Sequence, residues 1–161
     1  MRHLGYRRIG WALAGHEPPI VDDILRQAGM RTVLEQTPQS ERIPDLSGLG
    51  FSDSPKALLS WTKKYRPEAV VGFHCGYYYA LREGGYRIPE DLGYASLHCN
   101  ATEGESEFAI SGMFDMRAEV LKTAVEVMDR EIRLGHRGMP ERPLKLMVTP
   151  RWHLGETVIP R

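Results

Sequence analysis

The stretch GYRIPEDLGYASLH, residues 85–98, decides the fold of this chain. It begins with a glycine, a residue that can end a preceding helix in the left-handed conformation. The turn Pro89–Glu90–Asp91 follows, and then a run of small and apolar residues, typical of a buried strand, that ends at His98. A helix end, a tight turn and a buried strand in this order predict one unit of an α/β sheet.

The same alternation of apolar runs and helical patterns continues on both sides of this stretch. The predicted strands are 7–15, 68–74, 91–99, 109–113 and 144–150, and the predicted helices are 18–36, 53–67, 75–85 and 116–135. One more short strand is expected within the loop 37–55, at a position that the pattern does not locate. Because the strands are apolar almost throughout, both faces of the sheet must be covered. We therefore predict an α/β fold with a parallel, doubly wound sheet flanked by helices.

Composition excludes several classes of protein. The chain has 161 residues, of which 42% are hydrophobic, enough for one domain with its own core. Its 21 basic residues balance 21 acidic ones. The net charge therefore does not indicate binding to nucleic acid or to an anionic membrane. No signal peptide and no run of about 20 apolar residues is visible. Two cysteines do not make a disulfide framework, and we expect a cytoplasmic protein without a membrane partner.

The chemistry is expected at the carboxyl ends of the strands, where open parallel sheets bind their ligands. His16 follows the first predicted strand. His74 and Cys75 come at the end of a second strand, and His98 and Cys99 at the end of a third. No phosphate loop, dinucleotide fingerprint or nucleophile elbow is present, so no cofactor is expected. Neighbouring residues of a strand point to opposite faces, which argues against a metal site. An α/β enzyme that uses a cysteine nucleophile with a histidine base remains an alternative.

Five passages resemble the effector-binding domain of LacI/GalR-type transcriptional regulators, which has a periplasmic-binding-protein-like fold. They are HLGYRRIGWALAG (3–15), LRQAGM (25–30), RPEAVVGFHCG (66–76), GYRIPEDLGYASLH (85–98) and the segments EVLKTAVEVMDREIRLG and PERPLKLMVTPRW near the end. The fourth passage is the most specific, and the resemblance extends over essentially the whole chain. It implies one sensor domain over 1–161, mostly the C-terminal lobe, with 1–15 and about 109–118 in the lobe-crossing region.

The resemblance also implies partners and a function. A sugar or another small polar effector would bind between two lobes and control operator binding allosterically, through a helix-turn-helix domain absent from this chain. Family members pair as homodimers, so a homodimer is expected. A solute-binding module of the periplasmic type is a further alternative, disfavoured because no export signal is visible.

The same resemblance implies five effector-binding residues. Arg26 matches an arginine that binds sugar hydroxyls, and His74 falls near an asparagine or aspartate of the family. His98 stands where the family usually has an aspartate, Phe51 where an aromatic ring stacks on the sugar, and Asp115 near a polar residue of the hinge. The two histidines depart from the family pattern, because imidazole is a different hydrogen-bonding group from a carboxylate or an amide.

Each of these residues also has a purely structural interpretation. Arg26 would be an exposed helix arginine, Phe51 a core residue and Asp115 a helix N-cap. The two histidines would lie at the rim of the cleft, bonded to the backbone. The sequence leaves both interpretations open.

Overall fold

A computed structural model describes residues 1–50, 54–99, 106–138 and 142–161 of the chain. The strands are β1 (Ile9–Gly15), β2 (Leu46–Gly50), β3 (Ala69–His74), β4 (Gly93–Cys99), β5 (Gly112–Phe114) and β6 (Arg151–His153). The α-helices are α1 (Val21–Glu35), α2 (Ser54–Tyr65), α3 (Gly76–Glu83) and α4 (Arg117–Arg133). Short 3-10 helices lie at Arg2–Leu4, Gln39–Glu41 and Ser106–Ala109. The unplaced strand expected within the loop 37–55 is β2.

The six strands of the described residues form one sheet, in the order β2-β1-β3-β4-β5-β6. The first five strands are parallel, and only β6 runs antiparallel to its neighbour β5. The order reverses direction between β1 and β3, as in a doubly wound sheet. The predicted α/β class and the flanking helices are confirmed. The register of β3 and β4 places His74 directly beside His98.

The main core lies between the sheet and the pair of helices α2 and α3. Leu58 of α2, Leu81 of α3 and Tyr94 of β4 are completely buried there. Gly10 of β1 is required by close packing, because a Cβ atom at this position would overlap the indole ring of Trp61. Helix α1 lies over the opposite face of the sheet, where its residue Val33 lines a cavity with Trp11 and Val71.

The predicted strand 144–150 is wrong. Residues 142–150 are irregular, and the last strand begins at Arg151, immediately after the predicted segment. A strand needs a neighbour for its backbone hydrogen bonds. The neighbour β5 has only three residues, and it pairs with Arg151–His153. Leu144, Leu146 and Met147 are instead exposed, in spite of their apolar character.

Candidate functional site

The carboxyl ends of the four strands β1, β3, β4 and β5 meet at one edge of the sheet, because these strands are parallel and adjacent. His16 directly follows β1, and Asp115 directly follows β5. His74 is the last residue of β3, and His98 is the next-to-last residue of β4. The structure therefore brings the strand-end residues of the sequence prediction to one edge. Phe51 lies outside the described residues.

Asp23, which was not predicted as a site residue, anchors this edge. It is the third residue of α1, and its side chain is almost fully buried. Its Oδ2 atom accepts hydrogen bonds from the backbone amides of His16 and Ile20, both at 3.0 Å. The Nδ1 atom of His16 lies 3.1 Å from the same oxygen, and the Arg26 guanidinium binds the other oxygen of the carboxylate. Asp23 thus ties the loop after β1 to the first turn of α1.

The hydrogen bonds outweigh burial in setting the charge of this carboxylate. Burial by itself raises the pKa of Asp23, since it disfavours the charged form. The two backbone N–H donors, the His16 ring and the Arg26 guanidinium act in the opposite direction and lower the pKa from 3.8 to about 2. Asp23 is therefore ionised at neutral pH and holds Arg26 through a charge-assisted hydrogen bond.

Arg26 is fixed on its other side by an aromatic ring. Its guanidinium carbon lies 4.1 Å from the centroid of the Phe73 ring, a cation–π contact. The side chain is largely covered, with 22% of its surface exposed. A planar cation held between a carboxylate and a ring has few orientations left, so its remaining N–H groups point in defined directions.

His98 contacts the same ring. The imidazole of His98 and the ring of Phe73 are stacked, with centroids 5.8 Å apart and an interplanar angle of 22°. The structure thus connects His16, Asp23, Arg26, Phe73 and His98 in one continuous row, which we name the edge cluster. Its members offer N–H donors, a carboxylate and an aromatic surface, the groups that bind small polar molecules.

Buried hydroxyl groups hold the strand ends beneath the edge cluster. The Tyr94 hydroxyl donates to the carbonyl oxygen of His74 at 2.6 Å, and the Ser96 hydroxyl donates to that of His98 at 2.8 Å. Burial, together with the nearby thiols of Cys75 and Cys99, raises the pKa of Tyr94. Tyr94 therefore stays protonated and remains a donor over the physiological range.

His74 and Asp115 take part in local contacts at helix starts. The His74 Nδ1 atom accepts from the Gly76 amide at 3.0 Å, and its ring packs against Tyr77 of α3. The Asp115 carboxylate accepts from the backbone amide of Arg117 at 3.3 Å and from its guanidinium at 2.5 Å. Residue Met116, with φ of 54°, is the N-cap of α4, so Asp115 supports that helix start without being its cap. A role of either residue in ligand binding stays a prediction.

The two thiols face each other beneath the same edge. Cys75 and Cys99 are buried, and their Sγ atoms lie 4.0 Å apart. The Cys75 thiol also points to the carbonyl oxygen of His98, at 3.9 Å. Over residues 1–50, 54–99, 106–138 and 142–161, no three His, Cys, Asp or Glu side chains are grouped as a metal site requires.

Two residues of the edge cluster, Asp23 and Phe73, were missed in the sequence. A signal for Asp23 does exist: an acid in the first turn of a helix, three residues before an arginine, is placed to accept from the helix start and to pair with that arginine. Phe73 has no comparable signal, because a phenylalanine in an apolar strand usually belongs to the core. Its contact with Arg26 depends on how α1 lies over the sheet.

Comparison with known proteins shows similarity of structure only. No family model and no curated protein matches the chain. Solved structures, in contrast, do match the chain. A LacI family transcriptional regulator from Enterococcus faecium with bound ribose has a TM-score of 0.68 and 17% identity over 99% of this chain and 60% of its own.

Two further solved structures are similar to nearly all of the chain. The transcriptional regulator CelR in complex with cellobiose has a TM-score of 0.69 and 18% identity, over 98% of this chain and 48% of its own. The lac repressor dimer bound to operator and the anti-inducer ONPF has a TM-score of 0.70 and 17% identity, over 98% of this chain and 55% of its own.

The chain thus spans about half to three fifths of the length of the solved structures that it resembles. The similarity extends over nearly all of the present sequence, in agreement with the resemblance predicted from its five passages. In the part of the chain that the structure describes, no helix is long and apolar enough to cross a membrane. By its structure, this chain has the fold of LacI-family transcriptional regulators.

Proposed function

We propose that this chain is the ligand-sensing domain of a LacI-type transcriptional regulator, and that a sugar or another small polar effector binds at the edge cluster. One observation carries this proposal: the Arg26 guanidinium is held between the Asp23 carboxylate and the Phe73 ring, at the carboxyl edge of a parallel sheet. This edge is where α/β sheets bind ligands. The role is binding, without catalysis.

The edge cluster supports this proposal through complementary groups. Arg26 and His98 supply directed N–H groups for ligand oxygens, and Phe73 supplies an apolar ring surface beside them. The Asp23 carboxylate is already occupied by four donor groups, so its task is to position Arg26. His74, Asp115 and Phe51 complete the proposed set of effector-binding residues.

The wider organisation is also part of the proposal. Residues 1–161 form one sensor domain, with 1–15 and about 109–118 in the lobe-crossing region. Binding of the effector changes the affinity for operator DNA through differential binding to two states of the regulator. The DNA is bound by a helix-turn-helix domain outside residues 1–161, and the regulator acts as a cytoplasmic homodimeric repressor. Support comes from the lac repressor dimer with operator among the similar structures.

Titration of the chain with sugars, followed by amide NMR spectra, tests the site. The ligands are ribose and cellobiose, which are bound in two of the similar structures, together with a panel of other pentoses, hexoses and polar metabolites. Because the edge is open, with the His16 side chain 46% exposed, we expect weak binding with Kd of about 0.1 to 10 mM. The largest shifts should occur at His16, Arg26, Phe73 and His98.

Matched variants separate the site from general effects. Arg26→Gln and His98→Ala should each weaken the binding of an active ligand about tenfold, since each removes a directed hydrogen bond. Arg31→Gln, an exposed change on the same helix, should leave it unchanged. Thermal unfolding verifies that each variant is folded. The proposal fails if no panel member shifts these amides at about 50 mM, a concentration well above the expected Kd.

A further inference from the structure

Two cysteines lie side by side beneath the edge cluster. Cys75 follows His74 at the end of β3, and Cys99 follows His98 at the end of β4. Because His74 and His98 are register partners, the two cysteines are carried to the same level of the sheet. Their Sγ atoms are 4.0 Å apart, and both residues are buried, with 7% and 0% of their surface exposed. They are the only cysteines of the 161-residue sequence.

The backbone under this pair suits a disulfide. Neighbouring strands run about 4.8 Å apart, and disulfides join residues whose Cα atoms are about 4.4 to 6.8 Å apart. To form the bond, the two sulfur atoms must approach each other by about 2 Å. Rotation about the two Cα–Cβ bonds moves the sulfur atoms over such a distance and leaves the strands in place.

We propose that Cys75 and Cys99 form a redox-sensitive pair, which hydrogen peroxide converts into a disulfide between the ends of β3 and β4. In the first step, the Cys75 sulfur attacks one peroxide oxygen and the O–O bond breaks, which gives Cys75 sulfenic acid and one water. In the second step, the Cys99 sulfur displaces the hydroxyl group of that sulfenic acid, which takes the Cys99 proton and leaves as a second water. The two thiols together lose two electrons and two protons, and the peroxide is reduced to two waters.

The surroundings of the two sulfur atoms set the order of these steps. Cys75 has the larger exposed fraction and is the N-cap residue of α3, and the N-terminal end of a helix stabilises a thiolate. Cys99 has no exposed surface, and its Sγ atom packs against β5, since a Cβ atom added to Gly112 would lie 2.7 Å from it. A peroxide therefore reaches Cys75 first, and Cys99 reacts with the sulfenic acid from within the core.

The disulfide acts on the edge cluster through His98. The Cys75 thiol lies 3.9 Å from the carbonyl oxygen of His98 and is placed to donate to it. Oxidation removes this S–H donor and ties the residue after His98 to the end of β3. His98 stacks on Phe73, which in turn contacts Arg26, so a shift of the strand end extends into the cluster. Control of effector binding by oxidation rests on the proposed function, whereas the disulfide itself does not.

Peptide mapping of the full 161-residue chain tests the disulfide. The folded chain is treated with hydrogen peroxide, the remaining thiols are blocked with N-ethylmaleimide in denaturant, and the chain is cleaved with trypsin. Cleavage after Arg82 and Arg87 separates the two cysteines into peptides 65–82 and 88–117. We expect these peptides to become joined within about an hour and to separate again when a reductant is added.

Two further measurements locate the bond and its effect. On a non-reducing denaturing gel, the oxidised chain should run as a monomer, because the bond joins two residues of one molecule. In amide NMR spectra, oxidation should shift the signals of Phe73, His74 and His98 and leave that of the distant, exposed Glu126 unchanged. Peroxide treatment of Cys75→Ala is the matched control and should shift none of these signals, which separates the disulfide from oxidation of methionines.

Single variants test the order of the two steps. Cys99→Ala should retain a sulfenic acid at Cys75, which dimedone labels. In Cys75→Ala, labelling of Cys99 should be at least about tenfold slower, because this thiol is fully covered. Faster labelling at Cys99 would contradict the order. Peptide mapping of the wild type needs neither variant, so it decides on the disulfide even if one of them does not fold.

Three results would overturn the proposal. The first is a folded chain that keeps both thiols, or carries only a sulfinic acid, under conditions in which the urea-unfolded chain forms the disulfide. The second is a bond found only between different molecules, seen as a dimer on the gel. The third is a disulfide whose amide shifts are confined to Cys75 and Cys99, which would exclude an effect on the edge cluster. Sugar titration of the reduced chain tests the proposed function separately from each of these results.

Discussion

Helices α3 and α4 are both amphipathic, and they have opposite fates in the structure. Leu81 of α3 is completely buried against the sheet and α2, whereas Leu121 of α4 is 67% exposed. Both helices were predicted from the same kind of periodic pattern. The difference shows that an apolar stripe indicates which face of a helix can be buried. Whether a neighbouring element covers that face depends on the rest of the fold.

The largest expected effect is a loss of stability when the buried helix α3 is changed. Leu81→Ala should lower the free energy of unfolding by about 3 kcal/mol, because it leaves a cavity in the core. Leu121→Ala, the same substitution in α4, should change it by less than about 0.5 kcal/mol in dilute solution. Urea unfolding of both variants at low concentration measures the difference. Equal losses would mean that Leu121 of α4 is covered in the monomer.

The next effect concerns Asp23, the buried carboxylate of the edge cluster. Asp23→Asn should lower the free energy of unfolding by about 2 kcal/mol at pH 7, since the buried site loses the charge that binds Arg26 and two backbone amides. Asp22→Asn, an exposed change on the same turn of α1, is the control and should have little effect. Chemical denaturation of the two variants decides whether Asp23 is an anchor.

A smaller effect should appear as a pH dependence of stability. The pKa of Asp23 is about 2 in the folded chain, below its ordinary value of 3.8, so the unfolded chain binds the proton more tightly. The stabilisation is therefore complete above about pH 4 and is lost as the pH falls towards 2. Burial raises the pKa of Glu68, but the backbone amides of Arg7 and Arg8, together with the charges of Arg161 and Arg8, lower it overall, in the same direction as for Asp23.

Thermal unfolding between about pH 2 and pH 6 measures this dependence. The wild type should lose stability on acidification more steeply than Asp23→Asn, which has no carboxylate at this position. Identical slopes for the two proteins would show that the folded chain does not hold Asp23 in its charged form.

The smallest expected effect compares the ion pair at the edge cluster with one on α4. Arg133 and Asp129 lie 2.9 Å apart, but their side chains are 77% and 56% exposed. Arg133→Ala should change the free energy of unfolding by less than about 0.5 kcal/mol, because exposed ion pairs contribute little. A loss similar to that of Asp23→Asn would show that α4 is more tightly integrated into the fold than its exposure indicates.

Much of the fold could be predicted because its signals are local. The strand ending at His74, the strand beginning after Pro89 and the helix over 116–135 all lie close to their predicted positions. The prediction failed at 144–150, since an apolar run shows that a segment avoids water without showing that a neighbouring strand is available. The site was anticipated only in part: Arg26 and His98 lie in the edge cluster, but Asp23 and Phe73 were not foreseen.

The sequence by itself determined the order of strands and helices, the parallel α/β class and the edge at which polar residues collect. These properties follow from periodicity, turns and strand ends, which are encoded by residues close together in the chain. Only the tertiary structure decided that Phe73 contacts Arg26 and His98, and that Leu121 and Val125 of α4 remain exposed. Both depend on contacts between residues in separate elements, whose distances no local pattern contains.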